Sequence, residues 1–161
     1  MLLEPEGENR VAIVPNSVPK LSKLGIDVIV ESGAGSRSNY SDDEYTSRGA
    51  MVGTRMEAMD ADLLVSINMP DATSMSNGQT VACVADPFRH PDRVRQCMEH
   101  GVTLLSMDMI PRRLSRAQSM DVNSSQDNLA GYKAVLMGAA HISKAIPMMT
   151  TSAGTVKPAK F

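Results

Sequence analysis

Tryptophan is absent from these 161 residues, and phenylalanine occurs only twice, whereas methionine occurs thirteen times. Methionine fills irregular core gaps and also builds adaptable contact surfaces. The sequence therefore has two readings: a core packed with flexible side chains, which the usual burial of methionine favours, or a docking face made from Met107, Met109, Met148 and Met149. Long apolar runs are missing too. The longest strand candidate covers 62–69, far short of the ~20 residues that cross a bilayer, so no membrane span is expected, although docking onto a membrane partner stays open. The opening Met-Leu-Leu-Glu-Pro-Glu has no basic region followed by an apolar one, hence no secretory signal is expected. There is no excess of positive charge: 16 basic and 18 acidic residues give a net charge of -2. Read as spread along the chain, they build no field for a polyanion, and nucleic acid is not expected as a partner. Cys83 and Cys97 lack metal-ligand spacing and read as reduced, buried thiols of a cytosolic protein. His90, His100 and His141 stand far apart with no triad or metal partner nearby, which suits surface or cap positions.

What is present is an alternation of helices and strands on a chain of one domain's length, for which one core is expected. Pro15-Asn16-Ser17 caps a helix whose Val18, Leu21 and Leu24 share a face and which Gly25 stops. Residues 26–30 form a β-branched strand. Ser41-Asp42-Asp43-Glu44 is a capping box opening a second helix that ends at Gly49, and residues 55–59 are helical. Strands follow at 62–69 and 80–85, then a helix over 91–100 closed by Gly101, then a strand over 102–107. Runs such as Val81-Ala82-Cys83-Val84-Ala85 lack polar alternation, as strands covered on both faces do. The fold class that follows is α/β, an open and mostly parallel sheet with flanking helices, Rossmann-like in the flavodoxin-like variant. From Ser125 the residues Leu129, Val135, Leu136, Ala139, Ala140 and Ile142 sustain a last helix to about Ala145, before Pro147. Residues 150–158 then read as a connector of small residues.

Two segments invite a chemical reading. Glu31-Ser32-Gly33-Ala34-Gly35 follows a strand as a pyrophosphate loop does, but Ser38 stands where a third glycine belongs, so a tight turn is the better reading. Arg10, before Val11-Ala12-Ile13-Val14, reads as a solvated surface residue. The loop from Arg113 to Ser124 differs: Arg113, Arg116, Gln118, Asp121 and Ser124 offer forked donors, an amide, a carboxylate and a hydroxyl. It follows the 102–107 strand, and in an open parallel sheet ligands bind beyond the carboxyl ends of strands. A cap for the long helix from Ser124 or Ser125 explains one serine and leaves the other polar groups to a ligand.

Arg116-Ala117-Gln118-Ser119-Met120-Asp121, then Ser124-Ser125 and Asn128-Leu129-Ala130-Gly131-Tyr132, resembles the N-terminal part of the alpha subunit of proton-translocating NAD(P) transhydrogenase. Gly7-Glu8-Asn9-Arg10-Val11-Ala12 and Ala153-Gly154-Thr155-Val156-Lys157-Pro158-Ala159-Lys160 extend the likeness over nearly the whole chain. The resemblance implies hydride transfer between NADH, held by this subunit, and NADP, held by another, coupled to proton movement across a membrane. By position it assigns the nicotinamide and ribose contacts to Gln118 and Asp121, with Arg113 and Ser124 also binding the cofactor. Pro111 is followed by Arg112 as well as Arg113, so either arginine fits the loop-arginine place, and Asn123 stands where the family has an apolar residue. Implied partners are a second alpha subunit, giving a homodimer, and the membrane-embedded and NADP-binding subunits. The implied location is cytoplasmic, peripheral to the inner membrane. Residues 1–150 are then the N-terminal-type domain and 151–161 the start of a connector to an absent NAD-binding domain. Alternative readings are a truncated, non-catalytic remnant or assembly module, and an alanine dehydrogenase-like oxidoreductase. The second would need a lysine and a histidine where this chain has Ser66, Asn68 and Asp86.

Overall fold

A computed structural model describes residues 1–160. The chain divides into two compact units, Met1–Pro111 and Arg112–Phe161, of which Phe161 lies outside the described residues. The fold is mixed α/β, with parallel sheets and flanking helices.

In the first unit, Val18–Ser22 forms α1 behind a 3-10 turn at Pro15–Ser17. The helix stops earlier than the apolar spacing predicts, and Leu24 is left exposed. Ile29–Glu31 is β1, Asp42–Thr46 is α2, Met51–Gly53 is β2 and Arg55–Met59 is α3. The Ser41 capping box is made as the sequence predicts, and Thr54 with Glu57 makes a second one at α3. Leu63–Asn68 is β3, Thr80–Val84 is β4, Pro91–Glu99 is α4 and Thr103–Ser106 is β5. His90 and His100 flank α4 as its caps, and His100 Nδ1 lies 3.0 Å from the Gln96 carbonyl.

Instead of one continuous sheet there are two, a parallel pair β1-β2 and a parallel triple β3-β4-β5. Residues 1–3 run between them. The Met1 amino group donates to Ile29 O at 2.6 Å, Glu31 N donates to Met1 O at 3.0 Å, and Leu2 N donates to Val65 O at 3.4 Å. That pattern is a rudimentary parallel bridge on the β1 side. On the β3 side the nearly buried Glu4 carboxylate takes the amides of Ile67 and Asn68.

The expected single core is likewise two clusters. One gathers Val18, Val28, Val30, Ala34, Tyr45 and Ala50, the other Leu64, Met75, Val81, Cys83, Cys97 and Val102. Both cysteines are free and buried as the sequence predicts, and burial pushes the Cys83 thiol up to about 12. Such a thiol stays protonated and inert. Glycine explains the turn after β1: Gly33 adopts φ +79°, while a Cβ on Gly35 would lie 2.6 Å from the Tyr40 carbonyl oxygen and 2.7 Å from the Tyr45 ring. A packing demand, not a phosphate, requires these glycines.

In the second unit, Val122–His141 forms α5 over 20 residues, and none of them is fully buried. Met149–Thr151 and Gly154–Val156 then pair antiparallel as β6 and β7, in register Thr150↔Thr155. This hairpin replaces the expected connector, because the β-branched Thr150, Thr151, Thr155 and Val156 form a ladder around a two-residue turn. Methionine also departs from the core reading. Met1 and Met75 are buried, but Met51, Met56, Met98, Met109, Met120, Met137, Met148 and Met149 are exposed. Of the proposed docking face, Met107 is half-buried, and its members fall in different units.

Candidate functional site

The segment from Arg112 to Ser124 is not an open loop but a chain of tight turns anchored by one small side chain. Ala117 N donates to Leu114 O at 2.8 Å, Met120 N to Ala117 O at 2.9 Å, and Asp121 N to Gln118 O at 3.4 Å. Ala117 is buried, whereas Arg113, Arg116 and Gln118 on either side are exposed. The apolar residue pins the turn while the long polar side chains around it stay available to a ligand.

Asp121 ends this run and begins α5. Its Oδ1 accepts the Ser124 amide at 2.9 Å, the N-cap bond of the helix, and Ser125 Oγ returns to Asp121 O at 3.1 Å. The cap is therefore Asp121, not Ser124 or Ser125. The apolar periodicity starts only at Leu129 and hides the first turn, although an aspartate before Val122-Asn123-Ser124 is itself a cap signal. The Ser124 hydroxyl above all, then its amide, hold the Asp121 carboxyl below the usual carboxylate range; Arg112 adds to this and burial opposes it. The group is only 9% exposed yet remains an anion at neutral pH.

The lowered pKa fixes a pH dependence. A carboxyl depressed in the folded state contributes stability that is present above the ordinary range and lost as pH falls through the folded value. The helical circular dichroism of α5 should therefore weaken as pH drops below the ordinary 3.8 of aspartate, and Asp121→Ala should remove that acid limb. An unchanged limb in the variant would exclude Asp121 as its source.

The two arginines after Pro111 divide their work. Arg112 Nη2 donates to Asp127 Oδ2 at 3.0 Å, and its Nε lies 3.9 Å from Asp121 Oδ1, so one guanidinium spans the first turns of α5. Arg113 is exposed and pairs with no carboxylate among the described residues. Of the residues singled out in the sequence, the structure brings Gln118, Asp121 and Ser124 together and leaves the Arg113 guanidinium outside that cluster's ion pairs. Asp127 was not legible as part of this arrangement; its only sequence signal is its place six residues after Asp121.

In the first unit, a cleft of about 310 Å³ opens beside the ends of residues 1–3 and β3, lined by Glu4, Arg55, Ser66 and Asn68 among others. Ser66 Oγ donates to Asn68 O, and Asn68 Nδ2 donates to Glu4 Oε2. Neither side chain supplies the amine that an alanine dehydrogenase-like site would require. Arg10 is held by Glu8 at 2.6 Å.

These features define an α/β domain of parallel sheets followed by a capped polar turn and a long exposed helix. The chain belongs to the alanine dehydrogenase/PNT N-terminal domain family, which matches residues 4–130. It is 38% identical to NAD(P) transhydrogenase subunit alpha of Cereibacter sphaeroides, over 96% of this chain and 30% of that protein. In Rhodospirillum rubrum the relative is the first portion of a divided NAD(P) transhydrogenase subunit alpha, 40% identical over 96% of this chain and 42% of that protein. The crystal structure of transhydrogenase from Sinorhizobium meliloti superposes with a TM-score of 0.89 at 41% identity, over 98% of this chain and 49% of that one. The chain thus spans less than half the length of these relatives.

Proposed function

We propose that the chain supplies the N-terminal portion of a transhydrogenase alpha subunit, with residues 1–150 as its domain and 151–161 leading into a connector. On this reading the complete assembly passes a hydride from NADH, held on this subunit, to NADP on a partner, coupled to proton translocation. The observation that carries it is the Gln118–Ser124 turn, in which an amide side chain, an ionised carboxylate and a hydroxyl are gathered within one turn of backbone.

The donor set fits a dinucleotide's sugar and ring. Asp121, kept anionic by Ser124, is an acceptor for ribose hydroxyls; exposed Gln118 both donates and accepts, as a carboxamide partner must; Arg113 retains its five donors for a phosphate or the partner subunit. Bound nicotinamide supplies the hydride chemistry itself. The protein then needs no nucleophile. Its task is to fix the ring at a near-attack distance of ~3–3.5 Å and exclude water.

Homodimerisation is supported by α5, where Leu129, Tyr132, Val135 and Leu136 recur at helical spacing and are all exposed. Among the described residues no helix is long and apolar enough to cross a membrane. Membrane association, cytoplasmic and peripheral, would come through partner subunits.

The test separates the two arginines. In the complete assembly, Arg113→Gln should weaken NADH binding about tenfold, the worth of one charge-assisted contact, with the helical signal unchanged. Arg112→Gln should reduce the helical signal first. Equal NADH affinity in Arg113→Gln and wild type would overturn this assignment.

A further inference from the structure

Charge is not spread evenly after all. Residues 112–160 hold seven lysines and arginines against two aspartates, while residues 1–111 hold nine basic against sixteen acidic residues. Past Asp127 the described chain has no acidic residue at all.

That positive charge is shaped into a cavity of about 620 Å³ lined by His141, Lys144, Lys157 and Lys160, with Ile142, Ser143, Pro158 and Ala159. One wall is the exit of α5 at 141–145 and the other is the segment after β7 at 157–160. The hairpin joins them in sequence, and the Ala159 amide donating to Ala145 O at 2.9 Å ties them across. No lysine of the three forms an ion pair among the described residues.

Helix polarity accounts for only part of this. A helix C-terminus carries roughly half a negative charge, which suits His141 and Lys144 but leaves most of three ammonium charges uncompensated. Lys157 and Lys160 come from a segment with no helix end to satisfy. Gathering like charges in one concavity is unfavourable unless an anion shares it, and such a cavity focuses an anion's field. Its volume lies within the roughly 300–1,000 Å³ of small-molecule sites.

We propose that this basin is a binding site for a diphosphate group, the pyrophosphate portion of a nucleotide being the class of ligand it fits. It uses none of the residues of the Gln118–Ser124 turn and stands whether or not that turn holds nicotinamide.

The test is calorimetric titration of the intact chain with inorganic pyrophosphate at low ionic strength. Wild type should bind one equivalent saturably, and Lys157→Gln/Lys160→Gln should weaken binding about a hundredfold, tenfold per lysine. Lys133→Gln on α5 and Gln118→Ala should leave it unchanged. Should the double variant fail to fold, pyrophosphate must still slow acetylation of Lys144, Lys157 and Lys160 in wild type relative to Lys133. A parallel arm uses anionic phospholipid vesicles. Absence of saturable pyrophosphate binding, equal affinity in the double variant, equal loss in Lys133→Gln, no selective protection, or vesicle binding that pyrophosphate does not displace would each overturn the proposal.

Discussion

Tyr45→Ala is expected to lower the unfolding free energy of the first unit by about 4 kcal/mol, in the range for truncating a buried large aromatic. The ring has 0% exposure, meets Tyr40 edge-on with centroids 6.4 Å apart, and occupies a slot that exists because Gly35 has no Cβ. Its hydroxyl donates to Ile13 O at 2.8 Å, pinning the segment before α1 onto the same cluster. Alanine would remove the ring, the edge contact and that bond together. Tyr45→Phe isolates the last and should cost about 1 kcal/mol. Urea unfolding of both variants checks the pair; equal midpoints for Tyr45→Ala and Tyr45→Phe would mean the ring contributes little. Alkali provides a second reading. Burial pushes the phenol up to about 12, so stability present below the unfolded value near 10 is lost as pH climbs toward the folded one.

The other large effect concerns catalysis on the proposed reading. Gln118→Ala in the complete assembly should lower kcat/KM for hydride transfer about a hundredfold, the scale of a misplaced reacting ring. Gln118 is exposed, and its backbone carbonyl rather than its side chain closes the turn onto Asp121 N. The substitution therefore spares the turn and the α5 cap and removes a ligand contact alone. Gln118→Asn, with the same amide one methylene shorter, should be intermediate. Stopped-flow transfer rates alongside the helical signal separate the cases, and an unimpaired rate in Gln118→Ala ends the assignment of that residue.

Local signals carried most of the fold from the sequence. The Ser41-to-Glu44 capping box, the stop at Gly25 and the strands at 62–69 and 80–85 were legible because each rests on residues within a few positions of one another. β2 was not, since Met51-Val52-Gly53 is three residues long and is a strand only because β1 lies alongside. The splitting of the sheet was equally hidden: it depends on Met1 and Leu2 meeting residues near 30 and 65, contacts that no local pattern announces. In the candidate site the residue types were readable and their division of labour was not. Asp121 looked like a ligand contact and is also the helix cap, and the ambiguity between Arg112 and Arg113 is resolved by Asp127 a turn and a half further on. The methionines misled because burial statistics describe complete cores, while eight of the thirteen here face outward.

The narrow seam of residues 1–3 has a consequence for how the first unit breathes. Two hydrophobic clusters joined by a few main-chain bonds and by Glu4 are two cooperative blocks with a hinge line between them. Amide protons of β1 and β2 then exchange with solvent on one clock and those of β3 to β5 on another, with Ile67 and Asn68 following whichever block releases the carboxylate first.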